Sequence, residues 1–363
     1  MKVLQVLAQS AGGIGRHVAA LVAGLDGEKD LEFEIAADPT IRMEMPRAPR
    51  PVVIPPGLRR HRPAINHLER LIRESEATLV HAHGLRAAVD AGVAARRVGR
   101  PLIFTAHNVI HPMIAGRLKA PVLGQSERLA LRLATRVIAP SEEIKRHLVA
   151  RRPAAAPKIT TIYLGAGSAP VPQRAPDDVR RELAVGARRV GATVARLAPQ
   201  KALHVLLDAW RRIPGQPVLA VVGEGPLEAS LKSMARDMGV AERVRWVGWQ
   251  ADPASYVAAA DVFCLSSVWE AVALAAQEAV ALGTPVVTTD AGGMRELIED
   301  RVTGRLVRVG DAAALAAAID EVLSDPQAGE RYAAAARARL DERFSHRGML
   351  DRVAALYREV AHA

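Results

Sequence analysis

Short continuous apolar runs alternate with helical patterns through nearly the whole chain, and past about residue 185 the series begins again. The first set of strand candidates covers residues 2–8, 33–37, 78–82, 102–106 and 136–139, with helical stretches such as 15–25, 64–74 and 126–134 between them. The second set covers 189–196, 218–222, 244–247, 262–265 and 285–289. Uniformly apolar strands separated by helices are expected to form parallel sheets covered on both faces, because each helical crossover lies against the sheet. That is the α/β class of doubly wound, Rossmann-like sheets. Two series in 363 residues predict two such domains of similar size.

The best linker candidate is the Gly/Pro cluster at 165–177, which holds Gly165, Gly167, Pro170, Pro172 and Pro176. The expected domains are residues 1–166 joined by a tail helix at 347–363, and residues 167–346. A second Pro-rich stretch, 46–63, reads as a surface loop. With 50% apolar and 24% charged residues, the chain is neither a disordered, a collagen-like nor a coiled-coil protein. Cys264 is the only cysteine, so no intramolecular disulfide can form, and a reducing compartment is favoured. No apolar run reaches the 18 or so residues that span a bilayer, and the N-terminal run reads as a strand rather than a signal peptide. The expectation is a cytoplasmic protein.

The net charge of +10 is unevenly placed. Residues 1–166 carry 25 basic and 14 acidic side chains, and the remainder carries 24 and 25. An anionic membrane surface, an anionic acceptor and nucleic acid would each account for this, as would an ordinary Arg-rich surface. The cluster Arg59, Arg60, Arg62, Arg70 and Arg73 concentrates it.

Chemistry gathers where strands end. Strand one leaves through Gly12-Gly13-Ile14-Gly15 into a helix, an arrangement in which bare backbone and free helix N–H groups can meet an anion. The strands ending in His81-Ala82-His83 and Thr105-Ala106-His107 put three histidines at the ligand-binding edge of an open sheet. No Cys or carboxylate motif stands beside them and their spacing matches no zinc pattern, so no metal site is expected. His107 is read as a polar group facing ligand, and His81 and His83 as strand-end hydrogen-bonding groups. In the second half, Arg196 and Lys201 flank a strand exit in a chain with only seven lysines, and two such cations could hold a diphosphate without a metal. Glu270 and Glu278 lie in a very apolar stretch. If that stretch is helical, eight steps of about 1.5 Å set the two acids roughly 12 Å apart, a span suited to an extended ligand.

The ordered set Gly-Gly-x-Gly, Thr-x-His, Val-Ala-Arg-(x4)-Lys, Val-Gly-Glu-Gly-Pro, Glu-(x7)-Glu, Gly-Thr-Pro-Val-Val and Gly-Gly-x-x-Glu-Leu-Ile resembles glycosyltransferase family 4, from Lys2 to about Phe344. The resemblance implies a retaining GT-B enzyme with its active site in the cleft between two Rossmann-like domains and a nucleotide-sugar donor such as a UDP- or GDP-sugar as substrate; no DxD acidic pair appears in the sequence, so no cofactor or essential metal is expected. It implies a hydroxyl acceptor on the N-terminal domain, with lipid-linked and cell-envelope glycans among the candidates; the charge excess of residues 1–166, not the resemblance, is the ground for expecting peripheral contact with the inner face of the cytoplasmic membrane. By the same resemblance, Gly13 and Gly15 offer backbone to phosphate or acceptor, and His107 lies beside the transferred sugar. Arg196 and Lys201 hold the diphosphate, Glu270 contacts sugar hydroxyls and Glu278 the ribose. Trp249, within 247–250, borders the base, and Ala273 and Leu274 line the donor site. The family usually places Gly or Ser, Phe, and Gly or Pro after its first Glu, whereas this chain has Ala271, Val272 and Ala273.

Three other readings share parts of this pattern. A nicotinamide-dependent dehydrogenase would use the first Gly-rich turn but leaves the second sheet and the glutamates unexplained. A GT-B sugar-nucleotide epimerase shares the architecture and differs in its product. A nucleic-acid-binding protein would use the charge, but no helix-turn-helix signal and no aromatic-interleaved basic surface accompanies it.

Overall fold

The computed structural model describes all residues except 10–12, 42–44, 56–60, 111–119, 166–169 and 362–363, and the side chains of 120 and 122. Gly12, Arg59, Arg60 and Gly167 from the sequence reading fall outside the described residues. The chain divides into two compact units, Met1–Leu164 with His346–Ala363, and Gly165–Ser345.

The first unit is built on a seven-stranded parallel sheet in the order β3-β2-β1-β4-β5-β6-β7. Its strands are β1 (Lys2–Leu7), β2 (Glu32–Ala37), β3 (Arg50–Pro51), β4 (Leu79–His83), β5 (Leu102–Thr105), β6 (Arg136–Ala139) and β7 (Ile159–Thr161). The helices between them are α1 (Gly13–Leu25), α2 (His61–Glu74), α3 (Leu85–Val98), α4 (Ala120–Leu133) and α5 (Glu142–Arg151). β4 is buried at every position, as a strand covered on both faces must be. Local signals set the helix ends: the Ser141 hydroxyl accepts the Ile144 N–H to start α5, and Gly99, in the left-handed region, closes α3. The sequence reading did not mark β3 or β7, because two- and three-residue strands carry no periodicity.

The second unit repeats the scheme with six parallel strands in the order β10-β9-β8-β11-β12-β13. They are β8 (Val190–Val194), β9 (Val218–Val222), β10 (Val244–Gly248), β11 (Val262–Leu265), β12 (Val286–Thr289) and β13 (Arg305–Val307). Its helices are α6 (Pro176–Glu182), α7 (Leu203–Arg212), α8 (Glu228–Asp237), α9 (Pro253–Ala258), α10 (Leu274–Ala281), α11 (Ala312–Ser324) and α12 (Pro326–Arg343). Trp210, fully buried on α7, joins aliphatic residues of β9, β11 and α11 in its core. The last helix, α13 (His346–Ala361), belongs to the first unit and buries Leu350, Val353 and Tyr357.

One expectation is corrected. Glu270 and Glu278 do not share a helix: α10 begins only at Leu274, with Ala273 as its N-cap. Glu270 sits in the preceding loop, where its carbonyl is tied to another segment and cannot continue a helical ladder. Gly13 also differs from the sequence reading, which began the helix at residue 15: α1 starts at Gly13, so both Gly13 and Gly15 lie in its first turn.

Candidate functional site

Both units carry polar groups at the C-terminal ends of their strands, the edge at which open α/β sheets bind ligands. In the second unit, β8 runs out through Arg196 to a 3-10 turn at Pro199–Lys201, and β11 runs out through Ser266 to Glu270. Cross-bonds lock these two exits together. The Val268 N–H donates to the Gln200 carbonyl at 2.8 Å, and the Gln200 side-chain amide donates to the Trp269 carbonyl at 2.8 Å. The Ser266 hydroxyl is shared between the carbonyls of Lys201 and Ala202.

Within this frame the Lys201 ammonium lies 2.5 Å from Glu270 Oε1, and the Ser267 hydroxyl donates to the same oxygen at 2.6 Å. Both charged side chains are largely buried, at 21% and 8% exposure, so each needs the other to offset lost hydration. The main chain at Glu270 is held too, since its carbonyl accepts the Gly293 N–H at 3.0 Å. Gly292 has φ +60°, and a Cβ there would lie 2.1 Å from that carbonyl, so only glycine allows the approach. Arg196, by contrast, is exposed and makes no ion pair among the described residues.

Ala273, the N-cap, and Leu274 open α10, and among the described residues the Ala273 N–H meets only the soft Met294 sulfur, at 3.4 Å. Glu278 lies one turn further along, partly exposed. Trp249 follows the irregular end of β10 and is 61% exposed, unusual for so large an apolar ring. The structure thus brings Lys201 and Glu270 into contact and sets Leu274 and Glu278 on one short helix, capped by Ala273. Sequence reasoning missed Ser267 and Gly292. Only the pairing of the two loops reveals them, although Gly292 lies inside the Gly-Gly-x-x-Glu-Leu-Ile motif already marked and Ser267 three residues before Glu270.

In the first unit the register places Gln5 opposite His81, Leu7 opposite His83, and His83 opposite Thr105. Paired positions in a parallel sheet project to one face, and so do residues two apart along a strand. Gln5, His81, His83 and Thr105 therefore share a face, and Tyr357 of α13 joins them there. His81 Nδ1 is 2.7 Å from the Tyr357 hydroxyl and its Nε2 is 2.7 Å from Thr105 Oγ1. His83 Nε2 is 2.8 Å from Gln5 Oε1, and its Nδ1 is 3.1 Å from His107 Nε2. His17 of α1 packs edge-on against His83 and His107, with ring centroids 5.8 and 5.3 Å away.

Burial holds all four rings neutral, lowering His17 to about 4 and His81 to about 3, and His83 and His107 well below the ordinary value. One nitrogen each of His17, His83 and His107 lies within 4.8 Å of the others, close enough for a divalent ion to draw together. The sequence reading weighed a metal with His81 in place of His17. It missed His17 because a single buried histidine on a helix carries no signal, and it missed Gln5 and Tyr357 for the same reason. Gly13, Gly15 and His107 belong to this unit, and the remaining candidates to the other.

Residues 11–166 match the family model for Glycosyltransferase Family 4, and residues 177–339 match Glycosyl transferases group 1. A glycogen synthase of Mycobacterium tuberculosis is 31% identical over 291 residues, 77% of this chain and 68% of that protein. The lipopolysaccharide core biosynthesis glycosyltransferase LpsE of Rhizobium meliloti is 35% identical over 159 residues, so the match spans 46% of that relative's length. The crystal structure of Anabaena Alr3699/HepE in complex with UDP-glucose superposes with a TM-score of 0.84 at 24% identity, covering 99% of this chain and 100% of that one. These similarities lend nothing to the epimerase or dehydrogenase readings.

Proposed function

From the premise that the chain belongs to the GT-B glycosyltransferases of family 4, we propose that it moves a hexose from a nucleoside diphosphate sugar to a hydroxyl acceptor with retention of configuration. The observation that carries this reading is the buried Lys201–Glu270–Ser267 cluster at the joined exits of β8 and β11, beside the start of α10.

As the glycosidic bond lengthens, the sugar ring gains positive charge and the departing diphosphate gains negative charge. Arg196 and Lys201 supply fixed positive charge for the leaving group, and the N–H groups at the start of α10 add to it. Glu270 faces the sugar and favours its cationic form, while its bond to Lys201 holds both groups in place. Glu278 binds the ribose, Trp249 covers the base, and Gly13 and Gly15 present backbone to phosphate or acceptor. His107 contacts the sugar. The acceptor oxygen forms the new bond on the face that the diphosphate leaves, and the diphosphate takes the acceptor proton, so no protein carboxylate is consumed. Two protein cations make a resident metal unnecessary. The acceptor is read as lipid-linked or otherwise anionic, met by the basic first unit at an anionic membrane surface.

A thermal-shift panel of nucleotide sugars, starting with UDP-glucose and GDP-mannose, tests the reading. A donor at 100 times its Kd adds about 2.7 kcal/mol of stability. Hydrolysis or transfer from the stabilising donor should survive EDTA. A flat panel would sink the donor assignment, and activity lost to EDTA and restored by Mg²⁺ would sink the metal-free mechanism.

A further inference from the structure

Six buried or nearly buried groups of the first unit form one unbroken chain of hydrogen bonds, Thr105–His81–Tyr357–Gln5–His83–His107. We propose that the Tyr357 hydroxyl, carried on the returning helix α13, is a positioning group that sets the tautomer of His107 through Gln5 and His83. The inference deepens the function proposed above and rests on it only for the use made of His107.

Neutrality makes the chain directional. A neutral imidazole has one N–H and one lone pair, so a ring bonded through both nitrogens must donate at one and accept at the other. His81 lies between two hydroxyls, each 2.7 Å away, and can accept from only one of them. A phenol is a stronger acid than an aliphatic alcohol, so Tyr357 donates to Nδ1, and Nε2–H donates to Thr105. The Tyr357 oxygen is then an acceptor for its other neighbour, 3.0 Å away, and Gln5 must present its amide N–H there. That turns the amide oxygen toward His83, which must donate from Nε2. His83 Nδ1 keeps its lone pair and accepts the Nε2–H of His107. His107 is left with a lone pair on Nδ1, its one ring nitrogen outside the chain. In the proposed reaction that nitrogen accepts a hydrogen bond from a substrate hydroxyl.

Tyr357 is the right point of control. Gln5 has no tautomers, but its amide can turn over, and that turn would reverse both bonds between it and His107. The hydroxyl of Tyr357 holds it one way round. The ring is fixed independently, fully buried and 6.2 Å from Phe33 between centroids, so removing the oxygen leaves the packing in place.

The test uses the full chain labelled with ¹⁵N-histidine, with long-range ¹H–¹⁵N spectra reporting which nitrogen of each ring is protonated. In the unaltered protein at pH 7, His83 and His107 should each show the Nε2–H form alone. Tyr357→Phe should give His107 a mixture of both forms. Gln5→Met should do the same with Tyr357 intact, which guards against a folding defect in one variant. A single unchanged Nε2–H signal for His107 in both variants would overturn the proposal. So would stoichiometric binding of added Zn²⁺ to the unaltered protein with loss of the His107 Nε2–H signal, since the His83 and His107 nitrogens would then face an ion. If the tautomer also governs catalysis, Tyr357→Phe should lower kcat about tenfold or more at unchanged donor affinity. A tautomer change with unchanged kcat would uphold the chain of bonds and count against the role given to His107.

Discussion

At the scale of single residues, the two glutamates should fail in different ways. Glu278 is assigned to the ribose, which does not change during transfer, so its contribution is equal in ground and transition states. Glu278→Ala should raise the donor KM with little change in kcat. Glu270 is assigned to a sugar that becomes cationic, and its carboxylate is worth more as the bond breaks. Glu270→Gln should cost about 100-fold in kcat, or about 2.7 kcal/mol. The same change removes the partner of a largely buried ammonium, so the variant should also melt earlier. Donor titration and circular dichroism on both variants separate the two losses, and folded variants with unaltered kcat and KM would remove these acids from the site. Glu270 and Lys201 could be picked out from residue type and motif order. Their contact could not, because 69 residues separate them and only the pairing of two strand exits closes that gap.

At the scale of elements, strand positions were largely readable because a doubly covered strand must be apolar throughout. Residues 218–222, 262–265 and 136–139 coincide with β9, β11 and β6. The condition that one helix carries both Glu270 and Glu278 fails because α10 starts only at Leu274, and apolar composition alone does not mark where a helix begins. The strand ends also carry a pH dependence. An unfolded chain protonates its histidines as the pH falls through 6.5, whereas the folded unit resists until about 4 at His17 and about 3 at His81. Between those limits the unfolded state binds more protons, so stability is full above pH 6.5 and declines with acid. A shift of the His17 size corresponds to about 3 kcal/mol. Melting curves at pH 7 and pH 5 should show a clear fall in Tm. Equal values would mean that these rings are solvated in the folded protein.

At the scale of the whole molecule, the proposed anionic surface depends on how the excess positive charge is used internally. Arg73 pairs with Glu69 on α2, so part of the basic cluster is already compensated, and outside the cluster Arg50 pairs with Glu74. Arg62 and Arg70 remain exposed, with Arg70 bonded only to the His67 ring among the described residues. Each such cation contributes about 1 kcal/mol near an anionic bilayer. Co-sedimentation should favour phosphatidylglycerol over phosphatidylcholine vesicles at low salt and weaken in the Arg62→Gln/Arg70→Gln variant; equal binding to both lipids would sink the surface. Among the described residues no helix is long and apolar enough to cross a membrane. What the sequence determined by itself was what is written in local periodicity and composition: two doubly wound sheets, most strand positions, and the residue types suited to a charged sugar donor. Tertiary structure alone decided which of those residues meet. Parallel register placed Gln5, His81 and His83 on one face, the returning helix brought Tyr357 across 352 residues to Gln5, and two strand exits joined Lys201 to Glu270. Such contacts are set by crossover connections and long-range packing, and neither leaves a trace in the order of neighbouring residues.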